Sequence, residues 1–159
     1  MRIVPLVERP DLAEQVSVWG FDEWGHLNPG QTLDLRRAEI QGSMNVDRAP
    51  IVFVAIGDDD GIVGTASLIF DDLEGDPRNP WLASVFVPAE HRKKGVASAL
   101  VRTVEDAARR IGSLPAGAVP GRQYAYRLRQ QFARARTKGN AGLGETTHDL
   151  VGQVVDDRL

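Results

Sequence analysis

The chain contains no cysteine. Disulfides, thiolate nucleophiles and cysteine-ligated zinc are therefore excluded as sources of stability or chemistry. Long apolar runs are missing too, and no stretch approaches the roughly 18 apolar residues of a membrane-spanning helix. The first residues, Met1-Arg2-Ile3-Val4-Pro5, carry no apolar core of about 7–15 residues such as a secretory leader shows. A cytoplasmic protein with no membrane partner is the expectation. Two phosphate-binding patterns are absent as well: there is neither a G-x-x-x-x-G-K-[ST] loop nor a G-x-G-x-x-G turn following a strand.

The 159 residues suit one domain around a single core. Hydrophobic residues make up 42% and charged residues 26%, which places the chain among globular proteins rather than disordered ones. The net charge of −3 hides an asymmetry. Residues 1–90 hold 6 basic and 16 acidic side chains, and residues 91–159 hold 13 basic and 6 acidic ones. Such a split suggests a cationic partner for the first part and an anionic one for the second. Solvated surface charge is the plain alternative.

Residues 3–7 read as a short strand closed by Arg9-Pro10. Pro10 suits a first helical position, and Leu12, Val16 and Trp19 follow at helical spacing. Residues 20–30 mix aromatics with turn formers and read as a structured loop. Thr32 is placed to cap a second helix carrying Leu33, Arg36, Arg37 and Ile40. Two apolar runs, 51–56 and 62–70, flank Gly57-Asp58-Asp59-Asp60-Gly61 and predict a hairpin. The first run is continuously apolar, which predicts burial on both faces. The three aspartates lack the alternating spacing of a calcium loop and read as a solvated turn. A third strand is predicted over 81–87, ended by Pro88. From Gly95 onward Val96, Leu100, Val104, Ala107, Ala108 and Ile111 recur at helical spacing, with Arg109, Arg110 and Gly112 as stop signals.

Between that strand and that helix lies Arg92-Lys93-Lys94-Gly95-Val96-Ala97. Cations at the start of a helix oppose its macrodipole, so local stability gives no reason for them. A bound anion does, because free backbone N–H groups point at it and the cations add attraction. Gly95 and Ala97 would let a phosphate approach the backbone closely. A basic surface loop before an ordinary helix start is the competing explanation.

A strand, a short turn and then [QR]-x-x-G-x-[GA] opening an amphipathic helix resembles the acetyl-CoA motif of the GNAT-type N-acetyltransferases. Here it reads Trp81 to Val87, then Arg92, Gly95 and Ala97, and the upstream order of strand, two helices and hairpin is also similar to that family. The resemblance implies an α/β (α+β) fold: a mixed, mostly antiparallel central sheet flanked by helices. It implies a GNAT-like acetyl-CoA-binding core over 1–112. It further implies that the backbone of Val85, Phe86 and Val87 bonds the pantetheine arm. Backbone N–H groups from Arg92 through Lys93, Lys94, Gly95, Val96 and Ala97 would then cradle the pyrophosphate. Lys93 and Lys94 would reach the nucleotide phosphates with their side chains, whose plain alternative role is solubility.

The implied activity is transfer of an acetyl group from acetyl-CoA to an amine of a small molecule or peptide, with no metal. An ammonium has no lone pair, so a carboxylate or a water relay must remove its proton. Glu23, Asp71 and Asp72 are candidates for that base by their position at the expected mouth. The oxyanion needs a donor, which a backbone N–H of a splayed strand near Phe86 would supply. Ser84 stands where the family often places a polar relay, although strand packing explains it equally. His26 would line the acceptor pocket or shape its loop, and His91 has no assigned role.

After Gly112 the chain departs from the family pattern. Residues 113–121 carry two prolines and no strand-like run, and are expected to form an exposed connector. Residues 122–138 hold six basic and no acidic side chains. Tyr124, Leu128, Phe132 and Ala135 fall on one helical face, predicting a helix docked on the sheet. Contact with nucleic acid is the less favoured reading of its arginines. Tyr124 or Tyr126 would be the acid for the leaving thiolate, though neither stands in the family's motif. One further strand is predicted over 150–155, so 113–159 forms a divergent, basic and partly disordered segment of the same domain. A catalytically silent acyl-CoA binder is the main rival to an enzyme, and a homodimer is left open.

Overall fold

The computed structural model describes residues 1–70 and 80–111. The predicted connector, basic helix and last strand, with Asp71, Asp72, Gly112, Tyr124 and Tyr126, lie outside the described residues. Four antiparallel strands form a sheet in chain order: β1 (Arg2–Pro5), β2 (Ile51–Ile56), β3 (Ile62–Ile69) and β4 (Trp81–Phe86). Helices α1 (Ala13–Trp24) and α2 (Leu33–Gly42) come between β1 and β2, and α3 (Val96–Arg110) follows β4. No helix among the described residues is long and apolar enough to cross a membrane.

Every residue of β2 is buried, as its unbroken apolar run predicts. Ile51, Phe53 and Ala55 join the core beneath α3, with Leu68, Leu82, Leu100, Val101 and Val104. Their neighbours Val52, Val54 and Ile56 turn to the opposite core, with Leu6, Ala13, Val16 and Ile40. The period-two alternation of a strand thus feeds two separate cores. Each such side chain contributes about 1.5–3 kcal/mol when fully buried. The central strand is the best-anchored element of the sheet.

Thr32 caps α2, its side chain accepting from the Leu35 N–H at 3.2 Å. The aspartate turn is more than a solvated one. Asp59 accepts from the Gly61 N–H, Asp58 takes the Met1 amino group, and Asp60 takes both Arg2 and Arg9. The turn therefore ties the β2–β3 hairpin to the start of the chain.

Two expectations are corrected. The first strand ends at Pro5, and Leu6–Glu8 is a 3-10 turn that sends Leu6 into the core. Residues 20–24, read as loop, continue α1 to Trp24, with a 3-10 turn over Gly25–Leu27. Gly20 survives inside the helix because the Arg36 guanidinium lies directly against it. A Cβ there would stand 2.5 Å from Arg36 Nε.

Candidate active site

The inner end of β4 is irregular. Ala83 pairs with Ser67 and Phe86 with Thr65, so two steps along β3 face three along β4. The extra residue makes a bulge, which bends the strand and disturbs the ladder locally. Ser84 takes up the distortion with φ 51°, a left-handed conformation uncommon for any residue with a Cβ. The family resemblance implies a splayed strand near Phe86, and the register puts the distortion at Ser84 and Val85, although no residue type in the run announces it.

Side chains from α1 and α2 grip the bulge at two points. The Phe86 ring packs against Trp19 at 5.1 Å and meets Trp24 edge-on at 6.4 Å. Such aromatic pairs contribute about 0.5–1.5 kcal/mol beyond the area they bury. Ser84 Oγ accepts from Arg36 Nη2 at 3.5 Å, the outer limit of a hydrogen bond. Arg36 Nη1 also donates to Glu39 at 3.1 Å, and its Nε is buried with no partner among the described residues. Arg36 was not singled out from the sequence. Its spacing from Leu33 and Ile40, three and four residues away on one helical face, is the signal that could have found it.

Beneath the bulge, Gly64 of β3 lets α3 come close. A Cβ there would stand 3.0 Å from Val96 Cγ1, 3.1 Å from Leu100 Cδ1 and 3.1 Å from the Phe86 carbonyl oxygen. The first turns of α3 are thus held beside the end of β4.

Pro88 ends the strand, and Ala89–His91 forms a 3-10 turn that contains half-buried His91. The Arg92 N–H donates to Ala89 O at 3.3 Å, and Arg92 Nε donates to Val87 O at 3.0 Å. Arg92 therefore braces the turn with both groups. Its N–H is already engaged, so Arg92 drops out of the expected row of donors. Lys93 and Gly95 are left-handed, with φ 58° and 75°. The helix itself starts at Val96, so the three cations precede its first turn instead of occupying it. Among the described residues no side chain caps α3, and no acid lies in its first turn. The N–H groups of Val96 and Ala97 have no acceptor within the helix. Lys93, Lys94 and Gly95 are exposed, and neither lysine makes an ion pair among the described residues. A Cβ on Gly95 would meet nothing within 4 Å among the described residues.

The structure thus brings Ser84, Val85, Phe86, Val87, Arg92, Lys93, Lys94, Gly95, Val96 and Ala97 together along one bulge, turn and helix start. Glu23 sits half-buried on the last turn of α1, next in sequence to Trp24. His26 is exposed in the turn after α1. Among the described residues no group of three His, Asp or Glu side chains is suited to a metal ion.

Solved structures share this fold. An aminoglycoside 6'-N-acetyltransferase complexed with coenzyme A is 22% identical, with a TM-score of 0.51 over 69% of this chain. The chain spans 57% of that protein's length. An acetyltransferase, described as putative, from Pyrococcus furiosus is 18% identical, with a TM-score of 0.50 over 70% of this chain and 76% of its own. An aminoglycoside 6'-N-acetyltransferase from Acinetobacter baumannii is 23% identical, with a TM-score of 0.50 over 70% of this chain and 73% of its own. No curated protein sequence matches the chain. The model of the acetyltransferase (GNAT) family matches residues 14–132, three quarters of the chain. The chain belongs to the GNAT acetyltransferase family.

Proposed function

We propose that the protein is an N-acetyltransferase that moves an acetyl group from acetyl-CoA to an amine of a small molecule or peptide. The observation that carries this reading is the turn at 92–95. Exposed Lys93 and Lys94, left-handed Gly95 with open space beside it, and an uncapped helix start converge on one place. Phosphate oxygens suit such a site, because N–H groups, helix dipole and cations all favour negative charge there. Metal-free donors of this kind fit the diphosphate of a coenzyme A. Val85, Phe86 and Val87 would hold its pantetheine arm through their backbone.

The bound thioester supplies an activated acetyl group. Transfer makes one C–N bond and breaks one C–S bond, while a proton leaves the amine and one reaches the departing thiolate. This chain's part is to orient the partners, take the amine proton and stabilise charge on the carbonyl oxygen. The bulge at 84–86 supports the last role, since a strand off its ladder frees backbone N–H groups to face a ligand. Half-buried Glu23 is a candidate base, with Asp71 and Asp72. The acidic excess of residues 1–90 favours cationic acceptors, as would suit relatives named for aminoglycosides. The absence of cysteine is in keeping with action in the cytoplasm.

Thiol release from acetyl-CoA across a panel of amines tests the reading, with Glu23→Gln, Asp71→Asn and Asp72→Asn made singly. Turnover with a cationic amine, lowered far more by one variant than by the others, is expected. Acetyl-CoA binding without turnover of any amine would make the protein a silent acyl-CoA binder.

A further inference from the structure

We infer that Arg36 is a positioning residue for acyl transfer, acting through Ser84 to hold the β4 bulge in its left-handed form. The inference rests on the acetyltransferase reading for its kinetic consequence, but not for its structural one. Four observations meet at this guanidinium. Arg36 Nη2 reaches Ser84 Oγ, the side chain of the strained bulge residue. Its Nη1 is fixed by Glu39, whose other oxygen accepts from Gln31, so the group is tethered from behind. Its buried Nε has no partner among the described residues, so the side chain holds this position at a desolvation cost. Gly20 on α1 is bare of a side chain at the point where Arg36 crosses it.

A serine does not choose a left-handed backbone unaided, because its Cβ crowds the following carbonyl. Such a conformation persists where its surroundings impose it. Two residues further along, Phe86 is pinned by Trp19 and Trp24. Arg36 and the tryptophans therefore fix both ends of the stretch from Ser84 to Phe86, in which the backbone groups of Ser84 and Val85 fall between the residues registered with β3. Loss of the Arg36 contact would let Ser84 relax toward an extended conformation and turn those groups away. Turnover would suffer more than donor binding, since the phosphate turn at 92–95 is untouched.

The test compares Arg36→Met, Gly20→Ala, Ser84→Gly and the double variant Arg36→Met with Ser84→Gly, all in the full chain. Methionine keeps the unbranched stem that packs on α1. Alanine at position 20 displaces the guanidinium without removing its charge and is the better helix former. Arg36→Met and Gly20→Ala should each lower kcat roughly 10- to 100-fold, the scale of a small misplacement of reacting groups. Acetyl-CoA affinity should change by less than about threefold, marking loss of an interaction realised in transfer rather than in binding. Glycine adopts the left-handed conformation freely, so Arg36→Met should cost little kcat when Ser84 is already glycine. The backbone amide signals of residues 83–86 should move in Arg36→Met and return in the double variant. Equal cost of Arg36→Met in both backgrounds, or unmoved amide signals, would overturn the inference. Wild-type protein that binds acetyl-CoA yet acetylates nothing would end the enzymatic reading, and the amide signals alone would then decide the role of Arg36.

Discussion

Arg92 Nε donates to the carbonyl oxygen of Val87 across 3.0 Å, closing the turn between β4 and α3 from within. The bond joins the residue just after the strand to the first cation of the turn. Arg92→Ala should lower stability by about 1.5–3 kcal/mol, the range for a hydrogen bond from a charged group. It should also weaken acetyl-CoA binding, because the following N–H groups lose their fixed orientation. Urea unfolding and calorimetry check the two effects, and Arg92→Lys, which keeps a charged donor, should lose less of each.

Gly95 separates charge from strain at the same turn. Its φ of 75° favours glycine, and none of the described residues fills the space where a Cβ would stand. Asparagine tolerates this conformation better than other residues with a side chain. Gly95→Asn should therefore fold and keep measurable acetyl-CoA binding. Gly95→Asp, of nearly the same size, should lose it, because a carboxylate would face the diphosphate. Equal binding by the two variants would move the phosphate site elsewhere.

Gly64 controls how closely α3 approaches β4. Valine there would press on Val96, Leu100 and the Phe86 carbonyl, two side chains and a backbone atom that cannot swing aside together. Gly64→Val should cost about 1–3 kcal/mol, as overpacking does. A thermal melt reads this, and an unchanged melting temperature would mean that α3 shifts without penalty.

Much of this architecture was legible in the sequence, and the exceptions share one cause. Residues 51–56 announced a doubly buried strand because all six are apolar, and 96–111 announced a helix by spacing alone. Thr32 marked its own cap. These are local patterns. Gly20 reads as the beginning of a loop because glycine is a poor helix former, and the side chain that needs the space it leaves, Arg36, lies sixteen residues later. Ser84 reads from local sequence only as a strand residue, because its left-handed turn is set by the register against β3 and by α2 behind it. The same holds for Arg92, whose cationic type suggested an anion site but whose brace to Val87 is a matter of geometry. The strand-turn-helix placement of the candidate site could be read from the sequence. The backbone twists that shape it could not.

Acid should weaken the packing of α2 on α1. Arg37 donates to Glu14 on α1 and to Asp34 on its own helix. The hydrogen bond from Arg37 holds the Glu14 carboxyl below the usual carboxylate range. Asp11, bonded by Arg9, is lowered in the same way. A carboxyl lowered on folding contributes stability that is complete above its unfolded pKa, about 4.3 for a glutamate. That contribution is lost as pH falls through the lower, folded value. Melting temperature should therefore drop below about pH 4, and drop less in Glu14→Gln, whose amide does not titrate. Parallel curves for the two proteins would show that this pair adds nothing to the acid response.

Isothermal calorimetry of the full chain with acetyl-CoA tests the central claim most directly. One site per chain is expected, with affinity that falls as salt rises because Lys93 and Lys94 would face the phosphates. A melt at about 100 times the dissociation constant should show roughly 2.7 kcal/mol of added stability. Lys93→Glu with Lys94→Glu should remove most of the affinity while leaving the unliganded melt in place. No heat and no stabilisation at millimolar acetyl-CoA would contradict the account, as would full-strength binding by the doubly reversed variant.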